Sequence, residues 1–166
     1  MDGITSSADR TRAIALGTPT GFLAFGLGSG LSPYAPGTVG TVAALLPALF
    51  LVQLPLWIGL LLVGLAFVVG IHLCQVTGNA LGVHDHGGMV WDEFVGVWLV
   101  LLFMPFNWAW WLAAFVVFRL FDILKPWPIR WLDRKVPGGF GVMLDDLLAG
   151  VYTLVCLLPL LHFSGG

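Results

Sequence analysis

Charge is absent from most of this chain, and no other feature constrains the fold as strongly. From Ala13 to Val83 there is no Asp, Glu, Lys or Arg, and His72 is the only histidine. Phe94 to Phe118 is also free of formal charge, as is Leu147 to Gly166. Charged residues make up 10% of the sequence and hydrophobic residues 58%, against about 25% and about 45–50% in soluble proteins. So little charge cannot cover a water-facing surface, so the expected partner is a lipid bilayer. A net charge of −2 provides no basic field for nucleic acid.

Spanning a bilayer takes about 20 apolar residues in a helix. Five runs fit: Thr38–Leu54, Leu56–Ala80, Trp91–Met104, Trp108–Leu124 and Leu144–Phe163. Pro55 and the Pro105-Phe106-Asn107 turn separate neighbours. Ile14–Leu31 is broken by Pro19 and several glycines, leaving three readings open: interfacial, re-entrant or spanning. The expected fold is therefore an all-α, polytopic transmembrane bundle of about five spans plus an N-terminal interfacial or re-entrant helix. Residues 1–12 are expected to form a tail and residues 13–166 a single membrane-embedded domain. The N-terminus does not read as a signal peptide, because Asp2 and Asp9 precede the arginines. Cys74 and Cys156 lie in apolar runs and are expected to be inert core thiols without a disulfide.

Parity along these spans brings four segments to one membrane face: Ser32–Thr41, His84–Glu93, Arg119–Lys135 and Gly138–Asp146. Arg119, Lys125, Arg130, Arg134 and Lys135 lie at that face, which the positive-inside rule makes cytoplasmic. The N-terminal arginines agree only if Ile14–Leu31 does not cross.

The acids at this face come in pairs. Asp92 and Glu93 open one span, Asp145 and Asp146 open another, and Asp122 closes a third. Each membrane-edge acid costs about 2.5–3.5 kcal/mol on insertion scales and needs a partner. Adjacent helical residues diverge by about 100°, so each pair aims one carboxylate inward. Gly96, Ala149 and Gly150 follow one turn later and let the helices approach. An oxygen-rich cluster of this kind suits Mg²⁺, which keeps waters and binds phosphate oxygens. The plain alternative is that acids in a first turn complement the helix dipole; two pairs plus Asp122 favour the metal.

Arg119, Asp122 and Lys125 share a helical face, and Arg119 lies a turn inside the apolar run, where it needs an anionic partner. Arg130, Arg134 and Lys135 are also read as topological charge on an interfacial helix anchored by Trp127 and Trp131. The turn before Thr38 and the Gly138-Gly139-Phe140-Gly141 turn precede helices, whose free N–H groups favour anions. His84-Asp85-His86 offers two imidazoles to an ion or a leaving group, or is only an exposed polar loop. His72, Gln75 and Asn79 are expected to form an interior hydrogen-bonded stripe.

Five motifs in order are similar to one known family: 28–38 (GSGLSPYAPGT), 83–87 (VHDHG), 91–96 (WDEFVG), 118–130 (FRLFDILKPWPIR) and 138–150 (GGFGVMLDDLLAG). On these residues the chain resembles phosphatidylglycerophosphatase A. That resemblance implies a Mg²⁺-dependent enzyme of the bacterial inner (cytoplasmic) membrane, working in phospholipid biosynthesis. Its reaction converts phosphatidylglycerophosphate to phosphatidylglycerol and phosphate. The residues then fall into roles. Glu93, Asp122, Asp145 and Asp146 are the expected metal ligands, with Asp92 beside them. Thr38, Arg119, Lys125 and Arg130 are the expected phosphate binders, and His84 or His86 the expected acid for the departing glycerol oxygen. Two rivals are a transporter, which would spread its acids across membrane depth, and a lipid phosphotransferase, whose Asp-Gly-x2-Ala-Arg signature is not present.

Overall fold

The structure, a computed structural model, describes residues 7–164. The order of helices is α1 (Ser7–Gly17), α2 (Pro19–Ala24), a 3-10 turn (Ser29–Leu31), α3 (Pro36–Leu51), α4 (Leu56–Leu81), α5 (Trp91–Leu101), α6 (Trp108–Leu124), α7 (Ile129–Lys135) and α8 (Gly138–Ser164). All regular structure among the described residues is helical, as expected. The boundary drawn after residue 12 falls inside α1, and Asp2 lies outside the described residues.

Local chemistry explains the helix ends. Pro36 opens α3 with its ring-fixed φ. Asn107 caps α6, its side chain accepting a hydrogen bond from Ala109 N at 2.8 Å. Gly82, at φ 75°, closes α4 in the left-handed conformation that glycine adopts without strain.

Two helices, α4 with 26 residues and α8 with 27, are long and apolar enough to cross a membrane. Both present large apolar side chains outward, among them Trp57, Leu61, Leu65, Val68, Val155 and Leu160, the kind of exposed apolar surface that marks a lipid or protein contact. Of the other three expected spans, α6 keeps the expected Trp108–Leu124, whereas α3 and α5 are shorter than the sequence suggested. α3 has 16 residues, α6 has 17 and α5 only 11. At 1.5 Å per residue, α5 covers only about 16 Å of a hydrocarbon core about 30 Å thick. Ile14–Leu31 is three short pieces rather than one spanning helix. α1 packs on the end of α4, where an Arg10 Nη2–H donates to Ala80 O at 2.8 Å.

α8 is the hub, packing against α4, α5, α6 and α7, while α5 is held between α3 and α8. The α5–α8 crossing depends on glycine. A Cβ at Gly96 would sit 2.7 Å from Phe118 and 2.8 Å from Asp146 O, and one at Gly150 would sit 2.9 Å from Gly96 O. Around this seam Phe94, Val97, Val100, Leu101, Phe118 and Ala149 form the buried core. Two indole N–H groups find acceptors across the bundle: Trp98 on Ala44 O at 2.8 Å and Trp91 on Ala66 O at 3.0 Å.

Several local expectations change. α8 begins at Gly138, so Asp145 and Asp146 lie two turns inside it and its first turn carries no acid. The dipole explanation therefore fails for that pair. His72, Gln75 and Asn79 face outward rather than into the interior, although Gln75 Nε2 does donate to Asn79 Oδ1 at 3.1 Å. Cys74 is buried, but Cys156 is exposed. Trp127 and Trp131 are exposed around α7, as an interfacial anchor requires.

Candidate active site

The four segments expected to converge do meet, at a cavity of about 310 Å³ lined from the starts of α3 and α5, the end of α6 and the second turn of α8. Six carboxylates line it: Asp85, Asp92, Glu93, Asp122, Asp145 and Asp146; Arg119 and Lys125 are the cations. Asp92, Glu93, Asp145 and Asp146 are buried. Such a formal excess of negative charge in a desolvated chamber requires protons or cations to neutralise it.

Asp92-Glu93 and Asp145-Asp146 solve the same geometric problem in the same way. In each pair the first acid turns back on its own helix: Asp92 Oδ1 accepts from Glu93 N at 3.0 Å, and Asp145 Oδ1 accepts from Asp146 N at 3.0 Å. The second acid points into the cavity. Glu93, Asp122 and Asp146 bring one carboxylate oxygen each to within 4.8 Å of one another. Asp146 Oδ2 is buried without a hydrogen-bond partner. Three hard oxygen donors converging beside an orphaned acceptor fit a divalent cation such as Mg²⁺.

Arg119 crosses this cluster. Its Nη1 lies 3.0 Å from Glu93 Oε1 and also pairs with Asp122, while its Nε is buried without a partner. That is the anionic company its position in the apolar run demanded. Lys125 pairs with Asp145 and lies 3.4 Å from Asp133. Burial would favour the neutral amine, but Asp145 and then Asp133 hold the Lys125 pKa above the ordinary lysine value. Asp145, expected as a metal ligand, is thus matched to a cation of the chain itself.

The start of α3 forms the opposite wall. No side chain caps this helix, and Ala35, Pro36 and Gly37 line the cavity, so an oriented helix N-terminus faces it. Gly37 permits the approach, since a Cβ there would overlap Glu93 Oε1 and sit 2.9 Å from Arg119 Nη2. One turn on, Thr41 Oγ1 lies 2.8 Å from Glu93 Oε2 and 2.9 Å from Gly37 O, with one proton to give to either.

Four expected site residues lie elsewhere. Thr38 does not line the cavity; Thr41 is the threonine that touches the acids. Arg130 is exposed and its Nη2 donates to Leu124 O at 2.8 Å, satisfying a carbonyl at the end of α6 instead of lining the chamber. His84 Nε2 accepts from Gly138 N at 2.7 Å, and Gln75 Oε1 accepts from Gly139 N at 2.9 Å. These two side chains therefore cap α8, and the glycine turn is not an open anion site. His86 accepts from Gly88 N through Nδ1 at 3.0 Å and packs tilted against Phe25, ring centroids 5.5 Å apart, outside the acid cluster. Asp85, Gly37 and Thr41 are the residues the sequence reading did not assign. For Thr41 a signal existed: it follows Gly37 by four residues and so shares its helical face.

The family model described as "Phosphatidylglycerophosphatase A" matches residues 22–161. A protein of that name from Escherichia coli is 49% identical over 153 residues, covering 92% of this chain and 87% of the relative. Another, from Haemophilus influenzae, is 47% identical over 154 residues, covering 92% and 94%. A Bacteroides thetaiotaomicron protein provisionally named a phosphatidylinositol-3-phosphatase is 43% identical over 144 residues, covering 80% and 87%. No solved structure matches the chain.

Proposed function

The chain belongs to the phosphatidylglycerophosphatase A family, and from that membership we propose that it hydrolyses the terminal phosphomonoester of phosphatidylglycerophosphate. The products are phosphatidylglycerol and phosphate, in phospholipid biosynthesis. The observation that carries this reading is the trio Glu93, Asp122 and Asp146, gathered within 4.8 Å beside Arg119 in a lipid-proximal cavity.

Phosphoryl transfer asks a protein mainly for positioning and charge neutralisation. Glu93, Asp122 and Asp146 would hold Mg²⁺, supported by the orphaned Asp146 oxygen. When bound, Mg²⁺ supplies neutralisation of phosphate charge and activation of water. Arg119, Lys125 and the uncapped start of α3 bind the phosphate oxygens; Arg119 has a free Nε for this task. Asp92 and Asp145, each bonded to the amide that follows, fix the first helical turn around Glu93 and the α8 turn around Asp146. Thr41 orients Glu93. The departing glycerol oxygen takes its proton from within the cavity or its water, because His84 caps α8 and His86 does not line the acidic cavity.

The topology we propose has five passes, with the cavity opening to the cytoplasm at the inner membrane of a bacterium. Support comes from the shared position of Arg10, Arg119, Lys125, Arg134 and Lys135 around the acid-lined end of the bundle. The short α5 fits a chamber that dips into the bilayer from that side, so its charged first turn lies below the surface.

Purified protein in detergent, given phosphatidylglycerophosphate with and without Mg²⁺, tests the reading. Mg²⁺-dependent release of phosphate supports it. A new phosphodiester would indicate a transferase, and no reaction in either case would leave a transporter or binding protein.

A further inference from the structure

We propose that the groove between α1 and the Val83–Gly88 loop is a phosphodiester-binding subsite, holding the second phosphate of the lipid whose terminal phosphate occupies the acidic cavity. The inference deepens the phosphatase reading above and rests on it. This groove has a volume of about 990 Å³ and shares two wall residues, Pro36 and Gly87, with the acidic cavity. A ligand that crosses Pro36 and Gly87 therefore touches both.

The two chambers have opposite electrostatics. Six carboxylates line the first, whereas Arg10, Arg12 and His86 line the groove and none of the residues lining it is a carboxylate. An anion without its own cation is repelled by the first and attracted by the second. The donors of the groove are also available. Arg10 uses Nη2 on Ala80 O, which holds the rest of its fork in place. The Arg12 side chain has no hydrogen-bond or ion-pair partner among the described residues. His86 accepts from Gly88 N through Nδ1, so its neutral ring carries the proton on Nε2, a donor for an anionic oxygen.

The chemistry of the substrate calls for such a neighbour. Its phosphomonoester and phosphodiester hang from the two ends of one glycerol, so a site for the first needs a site for the second close by. Depth agrees: Arg10 bonds the last turn of α4, at the membrane edge where headgroup phosphates lie. Recognition of the diester would separate this substrate from lipids that carry a monoester alone.

Binding of short-chain lipids to the full chain in neutral detergent containing Mg²⁺ tests this by titration calorimetry, without relying on turnover. Dihexanoyl phosphatidylglycerol carries only the diester, and dihexanoyl phosphatidate only the monoester. Arg12→Ala is expected to raise Kd for the first about tenfold, the loss of one charged hydrogen-bonding group, and to leave Kd for the second unchanged. Arg10→Ala should act in the same direction. Inorganic phosphate should displace phosphatidate but not phosphatidylglycerol. Unchanged phosphatidylglycerol affinity in Arg12→Ala overturns the proposal. So does equal weakening of both lipids, which would mean general attraction of anions, or equal displacement by inorganic phosphate. If the phosphatase reading itself is wrong, wild-type protein releases no phosphate from phosphatidylglycerophosphate, and the lipid titrations still report on the groove.

Discussion

Arg119 on α6 places Nη1 3.0 Å from Glu93 Oε1 on α5, and the same guanidinium pairs with Asp122 one turn along its own helix. One cation thus ties together two of the three carboxylates that converge in the cavity. Removing it should harm both fold and chemistry. Arg119→Ala leaves two largely buried carboxylates unpaired, and a loss of about 3 kcal/mol in stability is expected. Arg119→Lys keeps the charge without the fork, so thermal unfolding in detergent should recover while phosphate release stays low. Full activity in Arg119→Lys would remove the guanidinium from phosphate binding.

Asp145 and Asp146 are adjacent in sequence but differ in task. Asp146→Asn should cut phosphate release about 10²–10³-fold, the scale for losing a preorganised charge at a reacting phosphate. It should also raise the Mg²⁺ concentration needed for half-maximal rate. Asp145→Asn, which leaves Lys125 paired with Asp133 alone, should cost only about 10–100-fold, as supporting residues around metal sites do. A Mg²⁺ titration of both variants checks this, and equal Mg²⁺ requirements would contradict the division of labour.

Gly37 and Gly96 separate site from scaffold. A Cβ at Gly37 would overlap Glu93 Oε1, so Gly37→Ala should depress turnover with little change in melting temperature. A Cβ at Gly96 would meet Phe118 at 2.7 Å and Asp146 O at 2.8 Å. Gly96→Ala should cost about 1–3 kcal/mol by overpacking, read as a lower Tm, with activity falling because the α5–α8 seam carries Glu93 and Asp146.

His84 and His86 should be dispensable for proton transfer. His84 caps α8 through Gly138 N at 2.7 Å, and loss of such a cap costs about 1 kcal/mol. His84→Ala is therefore expected to lower Tm while kcat stays within about tenfold, less than the 10²–10⁴ that a general acid contributes. The pH–rate profile of His86→Ala should keep its shape. A lost limb near neutral pH in either variant would restore a histidine acid.

How much of this was legible in the residues can be followed through the acids. Charge-free runs dictated an all-helical chain, and the positions of the few charges dictated which four segments meet at one cavity. Asp92, Glu93, Asp122, Asp145, Asp146, Arg119 and Lys125 accordingly line one cavity. These conclusions depend only on the cost of ionised groups in hydrocarbon, which any fold of this sequence must respect. The tertiary structure alone decided which carboxylate of each pair faces inward. Neighbouring helical side chains diverge by about 100°, and rotation of a helix about its axis is set by contacts such as Gly96 against Gly150 rather than by local pattern. It also moved the start of α8 back to Gly138, because Gln75 on α4 and His84 in the loop after it supply its caps. Partners 54 and 64 residues away in the chain leave no mark in the segment they terminate, which is why His84 read as chemistry although its Nε2 caps α8.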